Sequence, residues 1–220
     1  MKFKDRAEAG HRLAEALSAY ADCKPIVLAL PRGGVPVGAA VATALGAPLD
    51  LVLVRKIGAP DQPELALGAV VDGGAPMIVR NPGILAATGT STADFDAIGA
   101  RELAEIERRR GRYLGTRAPA DVAGRVVIVV DDGIATGATM RAALRATRQR
   151  GPARLVLAVP VASSSALASL RSEVDEAVCL TCPEGFRGVG QFYDDFRQVT
   201  DDEVVALLAR PPNDPPPVRV

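Results

Sequence analysis

The stretch VVIVVDDGIATGAT, Val126–Thr139, decides how the rest of the chain is read. Its first five residues are β-branched and apolar without a break. Such a run suits a strand covered on both faces, as in a parallel sheet between layers of helices. The strand ends on Asp131 and Asp132, and a loop of very small residues follows. A strand, a turn and a helix in this order present free backbone N–H groups at the positive end of the helix, a receptor for a phosphomonoester. Ala135, Thr136, Gly137, Ala138 and Thr139 form that cup, and the two threonines add hydroxyls. Small residues let the backbone approach the ligand closely. The carboxylates of Asp131 and Asp132 repel a phosphate. They can accept hydrogen bonds from the vicinal hydroxyls of a sugar, or stand near Mg²⁺. A sugar phosphate therefore suits both halves of the stretch. A Walker A loop is excluded, because no G-x-x-x-x-G-K-[ST] occurs.

Working outward, PIVLAL (25–30) reads as another strand buried on both faces, and LDLVLV (49–54), RLVLAVPV (154–161) and EAVCLT (176–181) read as further strands. LALGAVV and PMIV flank DGGA and read as a hairpin. Helices are expected over 3–21, 35–45, from the cup to about Arg150, and over 164–172. A capping box from Thr200 to Glu203 opens a last one. Residues 91–114 form an amphipathic, heavily charged helix with Ser91 and Thr92 as candidate caps. Strands alternating with helices give an α/β fold: a mainly parallel twisted sheet flanked by helices. One domain is expected over 1–210, with an inserted helical segment at about 80–118 and a Pro-rich tail at 211–220.

Twenty-six basic residues balance 26 acidic ones. That balance argues against a nucleic-acid or membrane surface. No apolar run approaches the ~20 residues that span a bilayer. The opening segment is charged and lacks a signal-peptide core, so a cytoplasmic location is expected. Cys179 and Cys182 form a C-x-x-C at the end of a strand, far from the single histidine, His11. They read as reduced thiols.

Ligands of open α/β sheets bind beyond the carboxyl ends of the strands. Two more ends carry unusual residues. Pro31-Arg32-Gly33-Gly34 offers a tight turn, backbone N–H groups and a guanidinium, which suit a diphosphate. Arg55 and Lys56 place two cations directly after LDLVLV.

With these motifs in place, VVIVVDDGIATGATM resembles the phosphoribosyl-pyrophosphate signature of type I phosphoribosyltransferases. VRKIGAPDQPELALGAV and GVGQFYDDF look like a prokaryotic branch of that family whose acceptors are poorly defined. The likeness covers most of residues 3–208. It implies transfer of 5-phosphoribosyl from phosphoribosyl pyrophosphate to a nitrogenous base, with release of pyrophosphate and Mg²⁺ as cofactor. Arg32, Gly33, Gly34 and Lys56 would meet the diphosphate. Asp131 and Asp132 would hold the ribose hydroxyls and stand near the metal. Residues 135–139 would clamp the 5′-phosphate.

The resemblance also implies a small C-terminal hood at about 182–200, with Phe186, Val189, Phe192 and Tyr193 against the base and Asp194 near Mg²⁺. The alternative reading of the aromatics is that they pack the terminal helix. The signals for the acceptor conflict. Ala135 stands where 6-oxopurine enzymes carry an aspartate, while GQFYDDF resembles those same enzymes. Purine and pyrimidine both stay open. Arg101, Arg108, Arg109 and Arg110 could reach pyrophosphate, although solvated charge on a helix explains them better. The expected partners are phosphoribosyl pyrophosphate and a small-molecule base, with a homodimer as a further candidate. A non-catalytic regulator that senses phosphoribosyl pyrophosphate is the alternative function.

Overall fold

The computed structural model describes residues 1–72 and 76–209. In chain order the helices and strands are α1 (Arg6–Ala16), β1 (Ile26–Ala29), α2 (Gly34–Ala44), β2 (Leu49–Leu51), β3 (Val54–Ala59), β4 (Gln62–Val71), β5 (Met77–Arg80), α3 (Pro82–Thr88) and α4 (Thr92–Leu114). Then follow β6 (Val126–Val130), α5 (Ala138–Gln149), β7 (Arg154–Val161), α6 (Ser164–Leu170), β8 (Glu176–Thr181) and α7 (Asp201–Leu208). A five-stranded sheet has the order β2-β1-β6-β7-β8, and every pairing in it is parallel. A separate antiparallel sheet has the order β3-β4-β5.

The central position of β6 explains its unbroken hydrophobicity. Successive side chains point to opposite faces of a sheet. Val127 and Val129 enter one core cluster with Met140 and Leu144 of α5. Ile128 and Val130 enter another with Leu13 of α1 and Val37 and Val41 of α2. Both faces are covered, so each residue has to be apolar, and each such burial stabilises by about 1.5–3 kcal/mol. A charge at Ile128 or Val129 would break the sheet.

Three expectations change. LDLVLV is not one strand: β2 stops at Leu51, and β3 begins the second sheet at Val54. Val52 joins one core cluster while Leu51 and Leu53 join another, so the crossing stays apolar. The first helix spans only Arg6–Ala16 and is followed by a 3₁₀ turn at Ser18–Cys23. Asp5 caps it, its carboxylate accepting from the Glu8 N–H. Phe3 instead forms a parallel bridge with Tyr193.

The β4–β5 hairpin pairs as expected, although Gly73 and Gly74 of its turn lie outside the described residues, as does the 211–220 tail. Ser91 caps α4, whose Phe95, Ile106 and Tyr113 are buried in a third cluster with Val204 and Leu208 of α7. The capping box of α7 is formed in both directions. Among the described residues, no helix is long and apolar enough to cross a membrane.

Candidate functional site

The site is built at the carboxyl end of β6. Asp131 Oδ1 accepts from the Asp132 N–H at 2.8 Å. Asp132 Oδ2 accepts from Arg6 Nε at 2.7 Å, with only 10% of the arginine side chain and 13% of the aspartate side chain exposed. Burial pushes the pKa of Asp131 well up, helped by the neighbouring Asp132 charge. Burial also raises that of Asp132, against the pull of Arg6. Withdrawing carboxylates from water costs stability unless they are paired, so a stable fold alone gives no reason for two here.

The Pro31–Gly34 turn lies directly on this pair. Leu30 N–H donates to the Val130 carbonyl at 3.0 Å, which fixes the turn beside the end of β6. A Cβ on Gly33 would sit 2.1 Å from Asp132 Oδ2, and one on Gly34 would sit 2.8 Å from the Val130 oxygen. Gly33 has ordinary right-handed dihedrals, φ −59° and ψ −37°, so close approach is what demands glycine there. The Pro31–Arg32 peptide bond is cis. Arg32 Nη1 lies 3.7 Å from Asp201 Oδ1. Asp201 also accepts from the Tyr113 hydroxyl at 2.6 Å and pairs with Arg112 at 2.8 Å. Burial, and then the bond to Asp201, pushes the Tyr113 hydroxyl up to about 12.

The small-residue loop is pinned to the end of β7. Ile134 N–H donates to the Val161 carbonyl, and Ser163 N–H donates to the Ile134 carbonyl, each at 2.9 Å. Ser163 Oγ donates to the Ala135 carbonyl at 2.7 Å. Gly137, at φ +82°, stands before α5 with no side-chain cap. The helix therefore opens with unsatisfied N–H groups. Ala135, Thr136, Ala138 and Thr139 around it are exposed, as a cup for a small anion requires.

The aromatic segment packs on the N-terminal residues. Phe192 and Tyr193 share a buried cluster with Phe3, Ala9 and Val161. This corrects the reading that the aromatics pack the terminal helix. Phe186 stacks on Phe192 with centroids 5.6 Å apart. The Tyr193 hydroxyl donates to the Asp132 carbonyl at 2.6 Å. Burial drives its pKa upward, with Asp132 adding to the effect. Val189 covers Gly133, where a Cβ would meet its Cγ1 at 2.6 Å. Phe186 and Val189 are half-buried and keep surface to offer, whereas Phe192 and Tyr193 are buried.

The turn at 31–34, the acidic pair, the cup, Val189 and Tyr193 are thus brought together. Lys56 stands on β3 opposite Ala69, in the second sheet. Asp194 is exposed and ion-paired with Lys2. Arg108 and Arg109 pair with Glu105, and Arg110 holds Asp72 at 2.7 Å. Arg6 is the site residue that the sequence did not reveal. It is separated from Asp132 by 126 positions, and a basic residue in a first helical turn otherwise reads as solvated charge. Among the described residues, no group of three acidic, histidine or cysteine side chains could cage a metal. Mg²⁺ does not require one, since it is commonly held by one or two carboxylates together with substrate phosphates and water. Asp131 and Asp132 fit that pattern.

Parallel sheet, acidic strand end and small-residue loop recur together in one class of α/β domain. The family model "Phosphoribosyl transferase domain" matches residues 4–197, and the chain belongs to that family. A Mycobacterium tuberculosis H37Rv protein, provisionally named a phosphoribosyl transferase, is 45% identical over 208 residues, which are 94% of this chain and 46% of that protein. The chain thus spans about half the length of the curated relatives it matches. The crystal structure of TT1426 from Thermus thermophilus has a TM-score of 0.83 and 47% identity, covering 94% of this chain and 98% of its own. A Neisseria gonorrhoeae protein solved with bound ppGpp shares the fold, at a TM-score of 0.50 and 16% identity over 94% of this chain and 97% of its own.

Proposed function

We propose that the chain transfers the 5-phosphoribosyl group of phosphoribosyl pyrophosphate to a ring nitrogen of a purine or pyrimidine base and releases pyrophosphate. The C1–O bond breaks, a C1–N bond forms, and the nitrogen's proton leaves to solvent. The supporting observation is the contact of Gly33 and Gly34 with the acidic pair. It puts the turn proposed for the diphosphate beside the carboxylates proposed for the ribose, which suits a ribose joined to a diphosphate at C1. The uncapped start of α5 serves the 5′-phosphate. Asp131 and Asp132 accept from the ribose hydroxyls. Arg32 and Lys56 stabilise the growing negative charge on the leaving group. Phe186 and Val189 offer apolar surface to the base, with Phe192 and Tyr193 behind them. Mg²⁺ neutralises the diphosphate when bound; Asp131 and Asp132 would hold it, with Asp194 a further candidate.

A regulator that only binds phosphoribosyl pyrophosphate would use the same site. The placement of Arg32 near Asp201 is the observation in its favour, because catalysis needs that cation on the leaving group. A screen of purine and pyrimidine bases with phosphoribosyl pyrophosphate and Mg²⁺, following pyrophosphate release, separates the two. Base-dependent release supports the transferase. Tight binding with no release from any base supports the regulator.

A further inference from the structure

The aromatic segment and the first turn of α1 meet at one side chain, Arg6. Phe3 N–H donates to the Phe192 carbonyl at 2.8 Å, and the N–H groups of Asp194 and Asp195 donate to the carbonyls of Phe3 and Lys4, each at 2.9 Å. These bonds stitch residues 3–4 to residues 192–195. Arg6 lies just beyond the seam. Its Nη1 donates to the Arg197 carbonyl at 2.9 Å, and its guanidinium lies 4.0 Å from the centre of the Phe196 ring. Its Nε holds Asp132 Oδ2 at 2.7 Å. The planar fork is therefore held by Arg197 and Phe196, and its third contact, the bond to Asp132, sets the rotation of that carboxylate.

That rotation matters for a ligand. Asp131 Oδ1 is taken by the Asp132 N–H, and Asp132 Oδ2 is taken by Arg6. Among the described residues, Asp131 Oδ2 and Asp132 Oδ1 have no hydrogen-bond partner and can accept from a sugar. Two adjacent acceptors match two vicinal hydroxyls. We propose that Arg6 is a positioning residue: it orients Asp132 so that the acidic pair discriminates a ribose 5-phosphate by its vicinal hydroxyls, and the segment 192–197 holds Arg6 in place for that task. The inference rests on the assignment of Asp131 and Asp132 to the ribose. It adds a residue from the N-terminal helix to the determinants of sugar specificity. An arginine suits the role better than a lysine, because its planar fork can bond the carboxylate and the Arg197 carbonyl at once while stacking on a ring.

The test compares ribose 5-phosphate with 2-deoxyribose 5-phosphate by titration calorimetry on the full chain. The wild type should favour the ribose by about 10-fold or more, as expected for a hydrogen bond to a charged group. Arg6→Met should lose most of that preference, because ribose 5-phosphate, which uses both hydroxyls, weakens more than the deoxy sugar, which keeps one of them. Arg6→Lys should recover part of it. A merely structural role for Arg6 would weaken both sugars together and leave their ratio unchanged, which would overturn the proposal. Phe196→Leu removes the ring beside the guanidinium at an exposed position and should shift the ratio in the same direction. It decides the matter if Arg6→Met does not fold: an unchanged ratio in Phe196→Leu then counts against the proposal. A wild type that binds neither sugar refutes the ribose assignment and this inference with it. A wild type that prefers ribose, with variants that prefer it equally, refutes only the role of Arg6.

Discussion

Replacing Gly33 with alanine adds one carbon atom at the tightest point of the site. The backbone there already has right-handed dihedrals, so alanine brings no conformational strain. In the unfolded chain it should even help, by about 0.4–1 kcal/mol. The new Cβ would lie 2.1 Å from Asp132 Oδ2 and 2.6 Å from Asp132 Cγ. To restore an ordinary contact the carboxylate must retreat by about 1 Å, and its 2.7 Å bond to Arg6 cannot survive that movement. Loss of a hydrogen bond between charged, mostly buried groups costs roughly 1.5–3 kcal/mol. After the entropic gain, the net destabilisation is about 1–2 kcal/mol, or a fall in Tm of about 2–8 °C for a domain of this size. Because the carboxylate that moves is the one assigned to the ribose, affinity for ribose 5-phosphate should fall roughly 10- to 100-fold. Calorimetric titration and a thermal melt of the same preparation read both effects. Gly111→Ala, where an added Cβ meets nothing within 4 Å, is the control and should be neutral or stabilising. A Gly33→Ala protein that melts and binds like the wild type would show that Asp132 can leave Arg6 at no cost, and the reasoning would be wrong.

Arg32→Ala should lower kcat for pyrophosphate release on the order of 100-fold, as for loss of one preorganised electrostatic donor, while ribose 5-phosphate, which lacks the leaving group, binds unchanged; equal losses in both would argue against a leaving-group role. Burial, and then the neighbouring Cys182, pushes the Cys179 thiol up to about 12, whereas Cys23 and Cys182 are exposed. At pH 8, iodoacetamide should therefore modify Cys179 at least about 10-fold more slowly than the other two, and mass mapping of three equal rates would contradict the burial argument. Glu203 is held down to about 2 by Arg197 and by the Thr200 backbone N–H. A lowered carboxylate contributes stability above its ordinary value of 4.5 and loses it as pH falls from there toward 2. Both side chains are partly exposed, so screening keeps the contribution below about 1 kcal/mol. The Tm gap between wild type and Glu203→Gln should be steady above pH 5 and should close below pH 4; a gap that persists to pH 2 would exclude the ion pair as its source.

The sequence was legible where one local rule decided the outcome. Val126–Val130 had to be apolar on both faces because β1 and β7 flank it and helices cover it, and that requirement is visible in five consecutive letters. The α7 capping box and the Ser91 cap were visible because each cap and its partner lie three positions apart. LDLVLV misled because hydrophobicity reports burial and not which sheet does the burying. Val52 and Leu53 are both buried at the crossing, with no glycine or polar residue to mark it. The acidic pair and the cup were readable as a contiguous motif. Their link to Arg6, and the packing of the aromatics on Phe3, were not. Each joins residues more than a hundred positions apart through side chains that no local spacing connects.

The stitching of residues 3–6 to residues 192–197 also bears on when the site comes into being. Arg6 is made 191 residues before its carbonyl partner, Arg197. At synthesis rates of about 5–20 residues per second, the arginine waits on the order of 10–40 s for that partner. Closing so long a loop costs only slightly more entropy than closing a moderate one, so the delay reflects order of manufacture more than instability. The five-stranded sheet needs nothing beyond β8 and can be complete while Asp132 still lacks its full setting. Circular dichroism would then report a finished protein before sugar binding does. On a ribosome, the ribose preference proposed for this site would then mark the moment at which the two distant segments have met.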